Sequence, residues 1–413
     1  MTTRAGIEKI GVYPCSLALG MTELCAARGH DLADIRETMM IDERSVNPAW
    51  EDPVTMAVNA AKLTLTDADL ERIELLIVAS ESGVDQEKPL SAWVHRYLGL
   101  TPHCRNFEVK HACYGGTAGL QMALNWVASG LAGAGKALVI ATDQSRMHLG
   151  RPWEFVMGAG AAAVLVSGTP RILEVELGKS GYWTNEVSDL TRPTSRVETG
   201  NSETSLLSYI DALEGAYAHY LERVKEPGPP INFDEYFAKN IYHAPFGGMT
   251  FRAHRTLLRR FKPMSKSEAW THFERKTLPS LTYLRRMGGT YAASPFIGLL
   301  GLVEYAGDLE PGARVSIFSY GSGSCAEFYS GIVRPEAREV ARASRLCELL
   351  DARYRLSVAE YEAVEQERTD YIDLGDYEPR LDDLNGWYDR HYRGRELLVF
   401  RGVKDHYRQY RWS

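Results

Sequence analysis

The segment "FEVKHACYGGTAGLQMALNWV", from Phe107 to Val127, joins the end of a predicted strand to a predicted helix through one cysteine and two glycines. Apolar residues recur at helical spacing in its second part, which places them on one face. Cys113 then lies at the strand-to-helix turn, near unpaired backbone N–H groups and the positive end of the helix dipole. Because both favour a thiolate, we expect a lowered pKa and a nucleophilic role for the Cys113 thiol. A buried structural cysteine would fit the same spacing.

Short β-rich runs alternate with helical patterns along the rest of the chain, which is typical of an α/β architecture. Buried strands are predicted at Ile73–Ala79, Ala137–Thr142, Ala161–Ser167 and Val315–Tyr320. Helices are predicted at Pro53–Leu65, Leu90–Leu98, Tyr114–Ser129, Leu206–Val224, Thr250–Phe261 and Tyr291–Ala306. The strand segments "ALVIATDQS" and "VSIFSYGSGS" both end in polar turns, and each precedes another strand-like run. Two similarly built halves would explain this echo, and so would chance similarity between buried strands.

The composition is that of an ordinary soluble globular protein. The chain has 413 residues, of which 45% are hydrophobic and 24% charged, enough for a large core or two domains. Its net charge of -7 argues against a general nucleic-acid binder. No apolar run approaches the ~20 residues of a membrane span, and the first residues lack the apolar region of a signal peptide. We therefore expect a cytoplasmic protein that does not enter a membrane.

Two long segments carry no recognisable chemistry. Residues about 178–240 are rich in polar and turn residues, include "KEPGPP", and are predicted to form an insertion. The segment after Pro335 is highly charged and rich in tyrosine, and its mixed charges are typical of a solvated face. The six cysteines lie in no CxxC or Cys/His pattern, so free thiols and no metal site are expected.

Three further positions are candidate partners for the thiol. Glu81 follows a buried strand, where a carboxyl group of raised pKa could act as acid or base, although an isolated glutamate there is more often a helix cap or surface acid. His243, in "YHAPFGG", could polarise a carbonyl group or be a structural histidine. The turn of Gly321, Ser322 and Gly323 after a strand is suited to offering backbone N–H groups to an oxyanion, but such turns are common.

A basic stripe is predicted on the helix that follows His243. Arg252, Arg255, Arg259 and Lys262 have i, i+3, i+7 and i+10 spacing, which places them on one face with no acidic residue between them. Such a stripe could speed the encounter with an acidic protein, or it could be an ordinary solvated face.

Taken together in order and spacing, these segments resemble the 3-hydroxy-3-methylglutaryl synthase family of the thiolase superfamily. The matching segments are "GIEKIGVY", "DPVTMAVNAAK", "LIVASESGVDQ", "FEVKHACYGGTAG", "ALVIATDQSR", "GAGAAAVLVS", "DLTRP", "YHAPFGGM" and "FSYGSGSCAEFYSG". The resemblance covers about residues 5 to 335, and the combination of "ACYGGT", "ESGVD" and "HAPFGGM" is specific. The chain is most similar to the members that install β-branches in polyketides.

The resemblance implies a thiolase fold, in which two related α/β halves form a five-layer α/β/α/β/α sandwich, and a homodimer. The N-terminal half with the nucleophilic cysteine would span residues 1–168. The C-terminal half would span residues 169–413, including the insertion and the charged tail.

The resemblance also implies a mechanism. Cys113 would take an acetyl group from a thioester, and Glu81 would remove a methyl proton so that the enolate attacks the ketone of a 3-ketoacyl thioester. His243 would hold the acceptor, while the N–H groups of Cys113 and Ser322 stabilise the enolate. Donor and acceptor would be carried on acyl carrier proteins by phosphopantetheine arms, or on coenzyme A, with no tightly bound cofactor. The basic stripe would bind the carrier or its arm.

Two departures from the family pattern and three alternatives remain. Met147 stands where many members have tyrosine, and Gly289 where they have asparagine. The alternatives are the hydroxymethylglutaryl-CoA synthase of the mevalonate pathway, a ketoacyl synthase of the same superfamily, and a carrier-docking subunit without activity.

Overall fold

The structure is a computed structural model that describes residues 4–224 and 230–413. Its strands are Gly6–Tyr13 (β1), Leu17–Gly20 (β2), Glu43–Val46 (β3), Ile73–Ala79 (β4), Arg105–Val109 (β5), Lys136–Gln144 (β6), Ala159–Ser167 (β7), Leu173–Thr184 (β8), Leu190–Thr191 (β9), Thr199–Gly200 (β10), Lys239–Tyr242 (β11), Arg314–Gly321 (β12), Cys325–Val333 (β13), Tyr354–Arg355 (β14), Leu398–Lys404 (β15) and Tyr407–Trp412 (β16).

The α-helices of the described residues are Met21–Arg28 (α1), Leu32–Thr38 (α2), Pro53–Lys62 (α3), Asp67–Leu70 (α4), Leu90–Leu98 (α5), Gly115–Ala128 (α6), Ser202–Arg223 (α7), Phe233–Tyr236 (α8), Gly247–Arg259 (α9), Lys266–Lys276 (α10), Ser294–Tyr305 (α11), Ala337–Arg342 (α12), Leu346–Asp351 (α13), Val358–Asp370 (α14) and Asp383–His391 (α15). None of them combines the length and the apolar character that a membrane span needs.

Every strand and helix predicted from the sequence is present, with ends that differ by a few residues. Local sequence signals explain why the start of helix α3 could be predicted. Asp52 caps it by accepting a hydrogen bond from the backbone of Thr55, whose hydroxyl bonds back to the backbone of Asp52, and Pro53 occupies the first turn.

The largest sheet has nine strands in the order β11-β12-β13-β8-β1-β7-β6-β4-β5. The first set consists of β1 and β4 to β7. Its last strand, β7, lies between β1 and β6 and runs antiparallel to both. The second set consists of β8 and β11 to β13. It repeats this pattern, because its last strand, β13, lies between β8 and β12 and runs antiparallel to both. The shared order favours two similarly built halves over chance similarity. The boundary that we propose between them, at residues 168 and 169, falls between β7 and β8.

Helices on both sides of the two sets build the expected five layers. Helices α3 and α5 pack on the outer face of the first set, and α6 packs on its inner face. Helix α11 lies beside α6, because a Cβ added at Gly116 of α6 would lie 2.9 Å from the ring of Phe296 on α11. Helix α11 also packs on Ile241 of the second set. On the outer face of the second set, Tyr209 of α7 packs on Phe318. The predicted five-layer arrangement is confirmed.

The prediction of an insertion over residues about 178–240 is wrong for the parts that form β8 and α7. Strand β8 pairs with β13 inside the large sheet, and Tyr217 and Tyr220 of α7 pack on Phe328 in the core. The buried face of α7 consists largely of tyrosine and alanine, so its composition gave little apolar signal. Residues 225–229, within "KEPGPP", lie outside the described residues.

The prediction of a solvated face after Pro335 holds for part of its charged residues but is wrong for Glu365, Arg368 and Arg408. Glu365 and Arg368 are buried and joined by a bond of 2.9 Å, and Arg408 reaches Asp52 at the start of α3 at 2.6 Å. The mixed charges of this segment pair with each other and with the N-terminal half, which a charge count cannot distinguish from solvation.

A buried carboxyl group also ties the C-terminal segment to the N-terminal half. Glu51 is completely buried and accepts hydrogen bonds of 2.5 Å from the hydroxyl groups of Tyr13 and Tyr392. Burial raises the pKa of Glu51 to about 7, although these bonds and contacts with Ser16 oppose the shift. The folded protein therefore holds a proton on Glu51 that an unfolded chain, with a pKa of about 4.3, releases.

This difference predicts a pH-dependent stability. Because the pKa is higher in the folded state, the contribution of Glu51 is greatest at acid pH and is lost as the pH rises through about 7. We expect Glu51→Gln, which cannot ionise, to remove a loss on the order of 2 kcal/mol between pH 5 and pH 8. Denaturant unfolding of both proteins at the two pH values measures this; equal losses would contradict it.

Candidate active site

Cys113 lies in a sharp turn between β5 and α6. The backbone N–H of Tyr114 donates to the carbonyl of His111 at 3.1 Å, and Ala112 adopts a left-handed backbone conformation with φ of 40°. This conformation is costly for a residue with a side chain and is typical of functional turns. The turn leaves Cys113 partly exposed just before α6.

Glu81 meets the thiol from the neighbouring strand. Its Oε2 lies 3.7 Å from the Sγ of Cys113, so the two side chains occupy one site, as predicted. The backbone N–H of Glu81 donates to Oδ1 of Asp143 at 2.9 Å, and the hydroxyl groups of Ser80 and Ser82 donate to the same oxygen at 3.1 and 2.8 Å. Because β4 and β6 are parallel neighbours, their carboxyl ends bring Glu81 and Asp143 together.

The expectation of a lowered thiol pKa is wrong. Burial raises the pKa of Cys113 well above its ordinary value, and the carboxyl groups of Glu81 and Asp143 raise it further, against the opposing charge of Arg192. Loss of solvent and two nearby acids therefore outweigh the helix dipole. Burial likewise raises the pKa of Glu81, where Arg192 opposes the shift and Asp143 and Glu198 add to it.

Arg192, immediately after β9, is the cation of this site. One terminal nitrogen donates to Ser82 Oγ at 2.9 Å and to the carbonyl of Glu81 at 3.2 Å. The other donates to Glu198 at 3.2 Å and to the carbonyl of Gln144 at 3.3 Å, and lies 3.7 Å from Oε1 of Glu81. The guanidinium group thus binds both backbone and side-chain atoms of the loop that carries Glu81.

Sequence reasoning did not single out Arg192, Asp143 or Glu198. Asp143 stands at the end of a buried strand, the position that identified Glu81, so the same argument could have found it. Arg192 belongs to "DLTRP", which carried the family resemblance but received no role. Glu198 lies in a polar loop without a usable signal.

His243 is buried at the carboxyl end of β11. Its backbone N–H donates to the carbonyl of Phe318 on the neighbouring β12 at 2.7 Å, and its own carbonyl accepts a bond of 2.7 Å from Tyr209. Its Nδ1 lies 2.7 Å from the hydroxyl of Ser294. Burial lowers the pKa of His243 to about 3, so the ring is neutral.

The glycine turn after β12 packs against the cysteine turn. A Cβ added at Gly321 would lie 2.6 Å from backbone atoms of the cysteine turn, so only glycine allows this approach. The N–H of Gly323, however, donates to Asp189 at 3.0 Å, and Asp189 also accepts from Tyr320 at 2.7 Å. The predicted oxyanion role is therefore wrong for Gly323, whose N–H stabilises the turn, and it stays a prediction for Gly321 and Ser322.

The two departures from the family pattern have different surroundings. Gly289 donates to the carbonyl of Val156 at 2.7 Å, and a Cβ added there would lie 2.9 Å from the carbonyl oxygen of Pro245. An asparagine here would require the backbone at Pro245 to shift. Met147 is half-buried, and nothing in the structure explains its presence.

The basic stripe lies on α9, which begins four residues after His243. Arg252, Arg259 and Lys262 are exposed, whereas Arg255 is half-buried and Lys262 lies beyond the last residue of α9. Within residues 4–224 and 230–413, none of these four cations forms an ion pair with a carboxylate; ion pairs nearby in the sequence include those of Arg260, Lys266 and Arg275.

A cavity of about 190 Å³ lies beside the loop that carries Glu81. Gly83 and Arg146 line it from the N-terminal half, and Tyr371, His406 and Arg408 line it from the C-terminal segment. The segment predicted to be solvated therefore forms part of the surroundings of the site. The described part of the chain holds no group of His, Cys, Asp and Glu side chains arranged for a metal ion.

A cysteine in contact with a carboxyl group, at the carboxyl ends of strands in a duplicated five-layer sandwich, defines a condensing enzyme of the thiolase fold. Family models agree with this class. The model "Hydroxymethylglutaryl-coenzyme A synthase N terminal" matches residues 32–170, and "Hydroxymethylglutaryl-coenzyme A synthase C terminal" matches residues 253–388. The chain belongs to the hydroxymethylglutaryl-CoA synthase family.

Individual relatives refine this similarity. The chain is 39% identical over 422 residues to the polyketide biosynthesis 3-hydroxy-3-methylglutaryl-ACP synthase PksG of Bacillus subtilis, covering 99% of each protein. It is 36% identical to the hydroxymethylglutaryl-CoA synthase of Enterococcus faecalis, covering 88% of this chain and 92% of the relative. The curacin biosynthetic pathway HMG synthase, solved with apo donor-ACP, superposes with a TM-score of 0.93 at 40% identity over 99% of this chain and 100% of that one.

The raised thiol pKa leads to a test with an alkylating reagent. Because Glu81 is one cause of the shift, Glu81→Gln should lower the pKa of Cys113 and raise its rate of alkylation by iodoacetamide at pH 9 several-fold. Peptide mass spectrometry measures the rate at Cys113, with the half-buried Cys347 as internal control. A rate at Cys113 unchanged by the substitution would contradict the assignment.

Proposed function

We propose that the protein condenses an acetyl group, held on Cys113, with the ketone of a 3-ketoacyl chain on an acyl carrier protein. The product carries a 3-hydroxy-3-carboxymethyl branch, and the reaction serves polyketide biosynthesis. The distance of 3.7 Å between Cys113 and Glu81 carries this proposal, because it places a proton acceptor beside an acyl group bound to the sulfur. The protein is thus an acyltransferase of the hydroxymethylglutaryl synthase type.

The first step is transfer of the acetyl group. The sulfur of Cys113 attacks the thioester carbonyl, the bond to the pantetheine sulfur breaks, and the thiol proton ends on that sulfur. The raised pKa keeps the resting cysteine protonated until a thioester arrives. The backbone N–H groups of Cys113 and Ser322 are the donors that we assign to the thioester oxygen, each worth roughly 2.7–4 kcal/mol in comparable enzymes.

The second step uses Glu81 twice. Its carboxylate removes a proton from the acetyl methyl group, and the enolate attacks the ketone of the acceptor. The carboxylic acid so formed returns the proton to the new alkoxide. A raised pKa suits this cycle, because Glu81 must hold the proton between the two transfers. Water then cleaves the bond between the acyl group and Cys113, which leaves a free carboxylate on the product.

His243 is suited to bind the acceptor. The Ser294 hydroxyl oxygen accepts the N–H of Ala244 at 3.2 Å and lies 2.7 Å from Nδ1 of His243, so its proton can bond to Nδ1. The ring then carries its proton on Nε2 and donates it to a carbonyl oxygen. Because the ring is neutral, it polarises the acceptor without protonating it.

Acyl carrier proteins are the partners that we propose for donor and acceptor, each through its phosphopantetheine arm. The similarity to PksG, a 3-hydroxy-3-methylglutaryl-ACP synthase, and to the curacin synthase solved with donor-ACP supports this choice. Helix α9 begins four residues after His243 and carries Arg252, Arg255 and Arg259 over a length of roughly 10 Å, so an acidic carrier bound there would lie near the site. No tightly bound cofactor is needed for these steps.

The second candidate function is the synthase of the mevalonate pathway, which uses coenzyme A for both substrates. The similarity to the hydroxymethylglutaryl-CoA synthase of Enterococcus faecalis favours it. Rapid acetylation of Cys113 by acetyl-CoA and none by acetyl-carrier protein would establish it. A carrier-docking subunit would instead bind carriers equally well with Cys113→Ser and show no turnover.

We also propose that the protein works as a cytoplasmic homodimer. Strand β5 is the last strand of the large sheet, its Phe107 and Val109 are half-buried, and Met122 of the following helix α6 is 48% exposed. An unpaired edge with apolar neighbours is suited to a second copy of the same edge.

The role of Glu81 has a direct test. Glu81→Ala should still form acetyl-Cys113, detected as one acetyl mass, because the alanine leaves the sulfur in place. Condensation should fall by about 10²–10⁴-fold, because no acid/base group remains. Intact-protein mass spectrometry and product analysis on the acceptor carrier measure the two steps. Undiminished condensation would exclude the proposed mechanism.

The basic stripe predicts a carrier-specific defect. The charge reversals Arg252→Glu, Arg259→Glu and Lys262→Glu together should slow acetylation by acetyl-carrier protein about tenfold or more at low salt. Acetylation by acetyl-pantetheine, which lacks the acidic protein, should not change. The exposed Arg342→Glu on α12 is the matched control. Equal slowing with both donors would assign the stripe to something other than carrier recognition.

A further inference from the structure

The two oxygens of the Glu81 carboxyl group have different neighbours. Oε2 lies 3.7 Å from the sulfur of Cys113, and Oε1 lies 3.7 Å from a terminal nitrogen of Arg192. The same guanidinium group is fixed to the loop of Glu81 by its bonds to Ser82 Oγ and to the Glu81 carbonyl. One arginine therefore holds the backbone of the loop and lies behind the carboxyl group, on the side away from the thiol.

Glu198 holds Arg192 from the other side. Strands β9 and β10 pair Thr191 with Thr199, so the next residues, Arg192 and Glu198, face each other across the hairpin. The Glu198 carboxylate accepts a bond from Tyr291 at 3.3 Å and lies 3.1 Å from His148. Burial opposes ionisation, but Arg192 and His148 lower the pKa of Glu198 to about 2, so its negative charge is permanent near neutral pH.

We propose that Arg192 and Glu198 are positioning residues that aim the Glu81 carboxyl group at the acyl group on Cys113 and balance its two protonation states. This inference rests on the proposed function. An arginine bound to Glu81 alone would hold it as an anion, which cannot return the proton to the alkoxide. A site without the arginine would hold it as a neutral acid, which cannot take the methyl proton.

The charges around Glu81 support this balance. The groups that face it are Cys113 before α6, Asp143 at the end of β6, Arg192 and Glu198 of the β9–β10 hairpin, and Tyr291 before α11. Arg192 is the cation among them, and Glu198 is the anion in direct contact with that cation at 3.2 Å. Removing Arg192 should therefore raise the pKa of Glu81, and removing Glu198 should lower it.

The test follows proton exchange on the acetyl-enzyme, which needs no acceptor. Protein acetylated on Cys113 is placed in D₂O buffers of different pH, and mass spectrometry follows deuterium entering the acetyl methyl group. Exchange requires Glu81 as carboxylate, so its rate rises with pH to a plateau. Arg192→Met should move the midpoint up by about one pH unit, because a cation is lost, and Glu198→Gln should move it down by a similar amount.

Two further variants separate charge from position. Arg192→Lys keeps the cation but loses the fork that binds the loop, so its midpoint should stay near that of wild type while the plateau rate falls about tenfold or more. Arg196→Met, in the same hairpin but paired with Asp373 at the surface, should behave as wild type. If Arg192→Met does not fold, Arg192→Lys still tests the positioning role of Arg192.

The outcomes distinguish this inference from the function on which it rests. If wild-type protein forms no acetyl-enzyme, or shows neither exchange nor condensation, the proposed function fails. If wild type exchanges and condenses but Arg192→Met and Glu198→Gln move the midpoint in the same direction or not at all, the balancing role is wrong. Full plateau rate in Arg192→Lys would overturn the positioning role.

Discussion

The proposed chemistry of this protein depends on holding a thiol and a carboxyl group 3.7 Å apart in a half-buried site. Removal from water makes both groups hold their protons, because a charge in a poorly solvated site lacks the stabilisation that water gives. In the proposed reaction, the site therefore stores neutral forms and must generate a carboxylate during turnover. Asp143 supports the loop of Glu81 through its hydrogen bonds, and the guanidinium group of Arg192 both supports this loop and adjusts the charge of the carboxyl group.

The fold brings this pair together through two independent alignments. Parallel pairing of β4 and β6 places the Glu81 loop above Asp143, which holds it by three hydrogen bonds to one oxygen. The second half supplies His243 and the glycine turn from the ends of β11 and β12. Gly321 packs against the cysteine turn without room for a side chain, so the two halves meet at the nucleophile.

The C-terminal segment shows how charged sequence can belong to a core. Glu365 and Arg368 neutralise each other in the interior, and Arg408 binds the carboxylate that caps α3. The segment also lines the cavity beside Glu81 with Tyr371 and His406. A run of mixed charges reads as solvated surface only while its partners are unknown, and here the partners lie far away in the sequence.

The sequence by itself determined the elements whose signals are local: the alternation of strands and helices, the caps and proline that start α3, and the turn that presents Cys113. The family motifs predicted which cysteine, glutamate and histidine belong to one site, and the structure brings the cysteine and the glutamate into contact. Only the tertiary structure decided the protonation of the thiol, the use of the Gly323 N–H by Asp189, and the position of Arg192 between two carboxyl groups. Local patterns set the backbone, but a pKa depends on desolvation and on charges contributed by residues distant along the chain.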